Sequence, residues 1–222
     1  MRISHLGARA IGAFGVIVLL AGCGGGSPAS NSRFNYMPSI ASVANEGLKF
    51  DPTRDRGRII YTASNAACSA GFHAEGCSLR VNLTNDTLTG FIISTRYVWE
   101  CSQIGRCFFW GAVTATPSPG NGIVEGEISG YAAALSYGAH IGPSKTFDGS
   151  ASIMATSMEY PPGYWTNAGV RYLGLVFQVS GRPHYGWAGL SVTASSTGVT
   201  TRMTGYAFES RADTPIVAGR TK

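Results

Sequence analysis

Residues 170–192 hold the pattern that most constrains this chain. Leu173, Leu175, Phe177 and Val179 recur at every second position, so an extended strand sets all four on one face. Ser180-Gly181 then supplies a two-residue turn, and a second extended run, 185–192, follows. This is a β-hairpin signal. No stretch shows the 3.6-residue apolar period of a long helix, and 132–137 reads as one helical turn at most. Similar extended runs read at 58–62, 78–84, 89–94, 97–100, 108–114, 123–129, 151–155 and 199–209. About ten short strands separated by turn residues predict a single all-β domain, an antiparallel β-sandwich of jelly-roll-like type. Composition agrees: charged residues make up 13% and glycine contributes 30 of 222 residues, which suits strands and turns better than helices.

At the N-terminus, Arg2 and Arg9 flank the start of an apolar run, 11–20, that is too short to span a bilayer comfortably. Small residues then lead into Cys23, completing an export signal. Leu20-Ala21-Gly22-Cys23 resembles the lipobox of bacterial lipoproteins. The resemblance implies a diacylglycerol on the Cys23 sulfur, cleavage before that residue, and an acylated (palmitate-bearing) new N-terminus that ties the chain to a membrane. Gly24 stands where an acid often favours inner-membrane retention, which implies outer-membrane localisation in the cell envelope. The expected organisation is 1–22 signal peptide, 23–36 lipidated cysteine with a Gly/Ser/Pro/Asn-rich tether, and 37–222 sandwich. Loss of Arg2 and Arg9 lowers the formal charge from +5 to +3, too weak and scattered for nucleic acid. Arg54, Arg56 and Arg58 alternate, as on a solvated strand edge.

Four cysteines remain besides Cys23, and an even number in an exported chain reads as two disulfides. Local pairing is expected among the three possible connectivities: Cys68 with Cys77 around a loop, and Cys101 with Cys107 across a hairpin mouth. A zinc site with His73 as a ligand is the alternative, but the cysteine intervals do not match the tight spacings of structural zinc motifs. No metal and no cofactor are expected.

Signatures of a nucleophile or a phosphate loop are missing from the sequence: there is no G-x-S-x-G, S-x-x-K, H-E-x-x-H or P-loop. Glu125 and Glu127 stand two apart in a strand-like run, so a glycoside-hydrolase pair is one reading and a solvated strand face the other. His140 and His184 have no recognisable catalytic partners. Asp51-Pro52-Thr53-Arg54-Asp55-Arg56-Gly57 spaces oxygen ligands like a calcium loop, but its two arginines and late glycine make it a turn. Tyr160, Tyr164 and Trp165 surround Pro161-Pro162-Gly163 and are the ligand-binding candidates. Loop aromatics either offer flat faces to a sugar ring or fold back as a lid.

Tyr172-Leu173-Gly174-Leu175-Val176-Phe177, His184-Tyr185-Gly186-Trp187-Ala188-Gly189-Leu190, Gly205-Tyr206-Ala207-Phe208-Glu209 and Pro215-Ile216-Val217-Ala218-Gly219 resemble the C-terminal signature of a family of exported bacterial β-proteins without assigned activity. The resemblance covers roughly the last fifty residues and implies fold and compartment rather than chemistry. Gly189 departs from it, since the family usually carries Arg there. Read physically, Tyr185 and Trp187 share a strand face, Gly186 and Gly205 permit close ring or strand contact, and Tyr206 and Phe208 form a further aromatic pair. The expectation is a non-catalytic envelope lipoprotein that is structural or binds envelope glycan or protein; the alternative is a carbohydrate-active hydrolase using Glu125 and Glu127.

Overall fold

In chain order the strands are β1 (Ser39–Ser42), β2 (Ile59–Ala63), β3 (Ala67–Gly71), β4 (Ala74–Glu75), β5 (Cys77–Val81), β6 (Phe91–Cys101), β7 (Cys107–Pro117) and β8 (Gly122–Val124). They continue with β9 (His140–Ile141), β10 (Phe147–Asp148), β11 (Ser152–Thr156), β12 (Val170–Val179), β13 (Arg182–Ser195), β14 (Gly198–Glu209) and β15 (Ile216–Val217). The computed structural model describes residues 39–42, 57–71, 74–84, 90–101, 107–157 and 163–222, and no helix occurs among them. All belong to one compact unit, Tyr36–Lys222.

The expected hairpin forms as written. Val179 pairs with Arg182, and Ser180 (φ 52°) and Gly181 (φ 74°) make the turn with both φ positive, the twist that matches the flanking strands. With β14 these strands form a meander at the centre of an eight-stranded sheet ordered β10-β8-β12-β13-β14-β3-β4, in which β2 also pairs with β14. A second meander, β5-β6-β7, centres a five-stranded sheet ordered β1-β5-β6-β7-β11. Its β1–β5 ladder is parallel. The two inner faces bury one core: Leu79, Val81, Phe91, Ile93 and Val113 from the smaller sheet meet Leu173, Leu175, Phe177, Leu190 and Phe208 from the larger. The fold is thus an all-β sandwich.

Two links cross between the sheets. Cys68 on β3 is disulfide-bonded to Cys77 on β5, with Cα atoms 5.6 Å apart. The pairing is the expected one, but Ala70–Glu75 and Gly71–Ala74 pair as a hairpin inside the ring, where the sequence suggested only a loop. Thr95 Oγ1 on β6 donates to Thr201 Oγ1 on β14 at 3.0 Å in the core. Cys101 stands opposite Cys107 in the β6–β7 register.

A third layer distinguishes this sandwich. β15 pairs with β9, and Ile216, Ala218 and Ile141 pack with Val124, Tyr185, Trp187 and Ala207 on the outer face of the eight-stranded sheet. Residues His184 to Leu190 of β13 are consequently all buried, in both alternating sets. The expected helical turn at 132–137 is corrected: Ala132 bridges Glu125, Leu135 bridges Tyr172, and their N–H groups are spent on Ile153 and Tyr172 carbonyls.

Candidate functional site

Trp165 is fully buried, and its Nε1 donates to the Ala132 carbonyl at 3.1 Å. Tyr164 is half-buried: its hydroxyl accepts the Ile128 N–H at 2.9 Å, and its ring stands edge-on to Tyr131 with centroids 6.4 Å apart. The reading of Tyr164 and Trp165 as free stacking faces is therefore corrected to the lid reading, because desolvated rings with satisfied polar atoms are more stable than rings in water. Tyr160 lies outside the described residues, as do His73, Arg54, Arg56 and residues 51–56.

Glu125 and Glu127 do not share a strand. β8 ends at Val124, Glu125 is half-buried at a single bridge to Ala132, and Glu127 is exposed in the bend that follows. Among the described residues no three His, Cys, Asp or Glu side chains cluster closely enough to hold a metal ion. His184 is buried, stacked on Phe177 at 5.7 Å with Nδ1 3.1 Å from the Glu209 carbonyl oxygen, whereas His140 is exposed on β9.

The arrangement with chemical potential lies on the outer face of the eight-stranded sheet, where the third layer stops. Trp187 is buried there, its Nε1 donating to the Arg220 carbonyl at 3.2 Å. Tyr61 and Tyr172 flank it, with ring centroids 5.9 and 5.3 Å from its own, and Tyr137 stands 6.3 Å from Tyr172. Tyr137 is 73% exposed, so the row of rings runs from the covered layer out to solvent. Two close approaches require glycine. At Gly219 (φ 81°) a Cβ would strike the Tyr137 ring and come within 2.8 Å of the Tyr172 hydroxyl; at Gly205 it would lie 2.8 Å from the Tyr61 hydroxyl. Burial, and then the neighbouring phenols of Tyr137 and Tyr61, push the Tyr172 hydroxyl above its ordinary pKa of 10.0, so it stays a hydrogen-bond donor well past neutrality.

Beside this tyrosine wall the same face lies open. Tyr172 pairs with Gly189, and from there the outward positions are Ser191 and Thr193 on β13, facing Arg202 and Thr200 on β14. Thr193, Arg202 and Thr204 are exposed. Thr204 sits at the β-bulge between Gly189 and Leu190, and its hydroxyl donates to the Gly189 carbonyl at 3.1 Å. No family model, curated protein or solved structure matches this chain. The open face carries short hydroxyl side chains, one guanidinium and the exposed Val170 opposite Ser191, and ends at a step of aromatic rings. Sequence reasoning placed Tyr185 and Trp187 on one strand face but missed Tyr61 and Tyr137, which reach the cluster from distant segments. The available signal was β13 itself, whose large residues occupy both alternating sets, as in a strand covered on both faces.

Proposed function

We propose that this chain is a non-catalytic binding protein of the bacterial cell envelope, lipid-anchored through Cys23, whose open outer sheet face engages envelope glycan. The observation that carries the reading is the juxtaposition of Ser191, Thr193, Thr200, Arg202 and Thr204 with the Tyr61–Tyr172–Tyr137 wall on one rigid surface. Sugar rings present hydroxyls at their rims and C–H groups on their faces. Hydroxyls and a guanidinium answer the first, and aromatic rings the second. The export signal and the resemblance of the C-terminal segments to exported β-proteins favour the same compartment.

Co-sedimentation of the purified mature chain with insoluble peptidoglycan sacculi tests the reading. Thr193→Glu with Arg202→Glu should abolish capture without unfolding the domain, since both side chains are exposed on the outward face of β13 and β14. Glu125→Gln with Glu127→Gln should leave it unchanged. Undiminished capture by the first variant removes this face as the site. Glycan cleavage that disappears in the second variant makes the protein a hydrolase.

A further inference from the structure

Strand register arranges the open outer face in rows. One row crosses β12, β13, β14 and β3 as Val170, Ser191, Arg202 and Ala67, and the next crosses β13, β14 and β3 as Thr193, Thr200 and Ser69. Neighbours within a row stand about 5 Å apart, and the rows about 7 Å apart. Arg202 is the charged residue of these two rows, and the residues on either side of it, Ser191 and Ala67, are too short to cover its guanidinium. It is exposed, and it makes no hydrogen bond or ion pair with any described residue.

The other arginines of these strands are engaged. Arg182 pairs with Asp213 at 2.9 Å, at the far end of the β12–β13 hairpin, and Arg171 donates through Nη1 to the Val170 carbonyl at 3.2 Å. Acids are missing where Arg202 stands: β3, β12 and β13 contain no Asp or Glu, and β14 contains only Glu209. Glu209 is buried at the covered end of β14, where its Oε1 accepts the Arg211 N–H at 2.9 Å. An anion arriving on the open face therefore meets a cation that no described residue competes for, and no like charge on these four strands stands beside it.

A guanidinium is planar, and its paired N–H groups match the two oxygens of a carboxylate. A single cation in the two rows balances a single negative charge, whereas a terminal phosphate carries about two near neutral pH. We propose that the glycan engaged by this face is acidic, with a sugar carboxylate seated on Arg202 and ring hydroxyls answered by Ser191, Thr193 and Thr204. The rim of Tyr172, which a Cβ on Gly189 would approach to 3.5 Å, bounds the adjoining sugar. This proposal rests on the reading of the outer sheet face as a glycan site.

Isothermal titration of the purified mature chain with oligogalacturonate, its methyl ester and an oligo(glycerol phosphate) tests it. The acid should bind at least about tenfold more tightly than the ester, and only the affinity for the acid should fall as salt is raised. Arg202→Gln should weaken the acid about tenfold and leave the ester unchanged, with Arg202→Lys between the two because it keeps the charge and loses the fork. Failure of sacculus capture with galacturonate binding that still depends on Arg202 removes peptidoglycan as the target and supports the acidic-sugar preference. Sacculus capture with acid and ester bound equally keeps the glycan reading and overturns this one. Tighter binding of the glycerol phosphate, acid binding that survives Arg202→Gln, or an equal loss of acid and ester in that variant also overturns it.

Discussion

Replacing Trp165 by alanine is the sharpest test of the lid. The side chain is wholly enclosed, which for an indole removes on the order of 200 Å² from water, and about 25 cal/mol/Å² makes this worth about 5 kcal/mol as an upper value. Large-to-small truncation of buried Trp costs about 3–5 kcal/mol. The substitution also strips the Ala132 carbonyl of its indole donor, adding about 1 kcal/mol. A total near 5 kcal/mol is a large part of the stability of a domain this size and lowers the melting midpoint by about 10–20 °C. Trp165→Phe keeps most of the packing and loses the hydrogen bond, so about 2 kcal/mol separates it from the parent. Differential scanning calorimetry of the three proteins is the assay. A Trp165→Ala midpoint within about 2 °C of the parent would refute the buried-lid reasoning and restore Trp165 as a surface ring.

The Cys68–Cys77 bond closes a short loop, with a sequence separation of 9, for which chain entropy gives about 2.6 kcal/mol. Cys68→Ala with Cys77→Ala should lower the denaturant midpoint accordingly, and an unchanged midpoint would show that the staple contributes nothing. An unreduced peptide map should contain a linked Cys101–Cys107 pair, as their register implies, and alkylated free thiols there would contradict it. Gly219→Ala combines a left-handed backbone with collisions against Tyr137 and Tyr172, so a loss of about 1–3 kcal/mol is expected in equilibrium unfolding. Burial raises the hydroxyl pKa values of Tyr172, Tyr185 and Tyr206 above 10.0. Above pH 10 the unfolded chain then releases these protons before the folded one, so stability falls as pH rises, while below that these groups add no slope. Midpoints that stay level well above pH 10 would rule this out.

Where one strand face alternates cleanly, the fold was legible: β12 carries Leu173, Leu175, Phe177 and Val179 at alternate positions and ends at Val179. Where small residues carry the strand, it was not. Ala67–Gly71 has no large apolar residue, and its place is set by pairing with β14, a partner about 130 positions away by sequence. Two separate runs at 89–94 and 97–100 are one strand because Thr95, a polar residue that looks like a break, spends its hydroxyl on Thr201 in the core. Ala132 to Leu135 reads as helical by propensity, but tertiary bridges take its backbone groups. The candidate face was hidden for a similar reason. Ser191, Thr193, Thr200 and Arg202 are unremarkable until strand register sets them side by side, and Tyr61 and Tyr137 join Tyr172 only across the fold.

The most direct test of the binding face is a residue-resolved NMR titration of the folded domain with soluble fragments of envelope glycan. Amide shifts confined to Ser191, Thr193, Thr200, Arg202 and Thr204, with ring-proton shifts at Tyr137 and Tyr172, are expected. Shifts centred instead on Glu125 to Ser129, or a spectrum that glycan leaves unmoved, would contradict glycan binding at the outer sheet face.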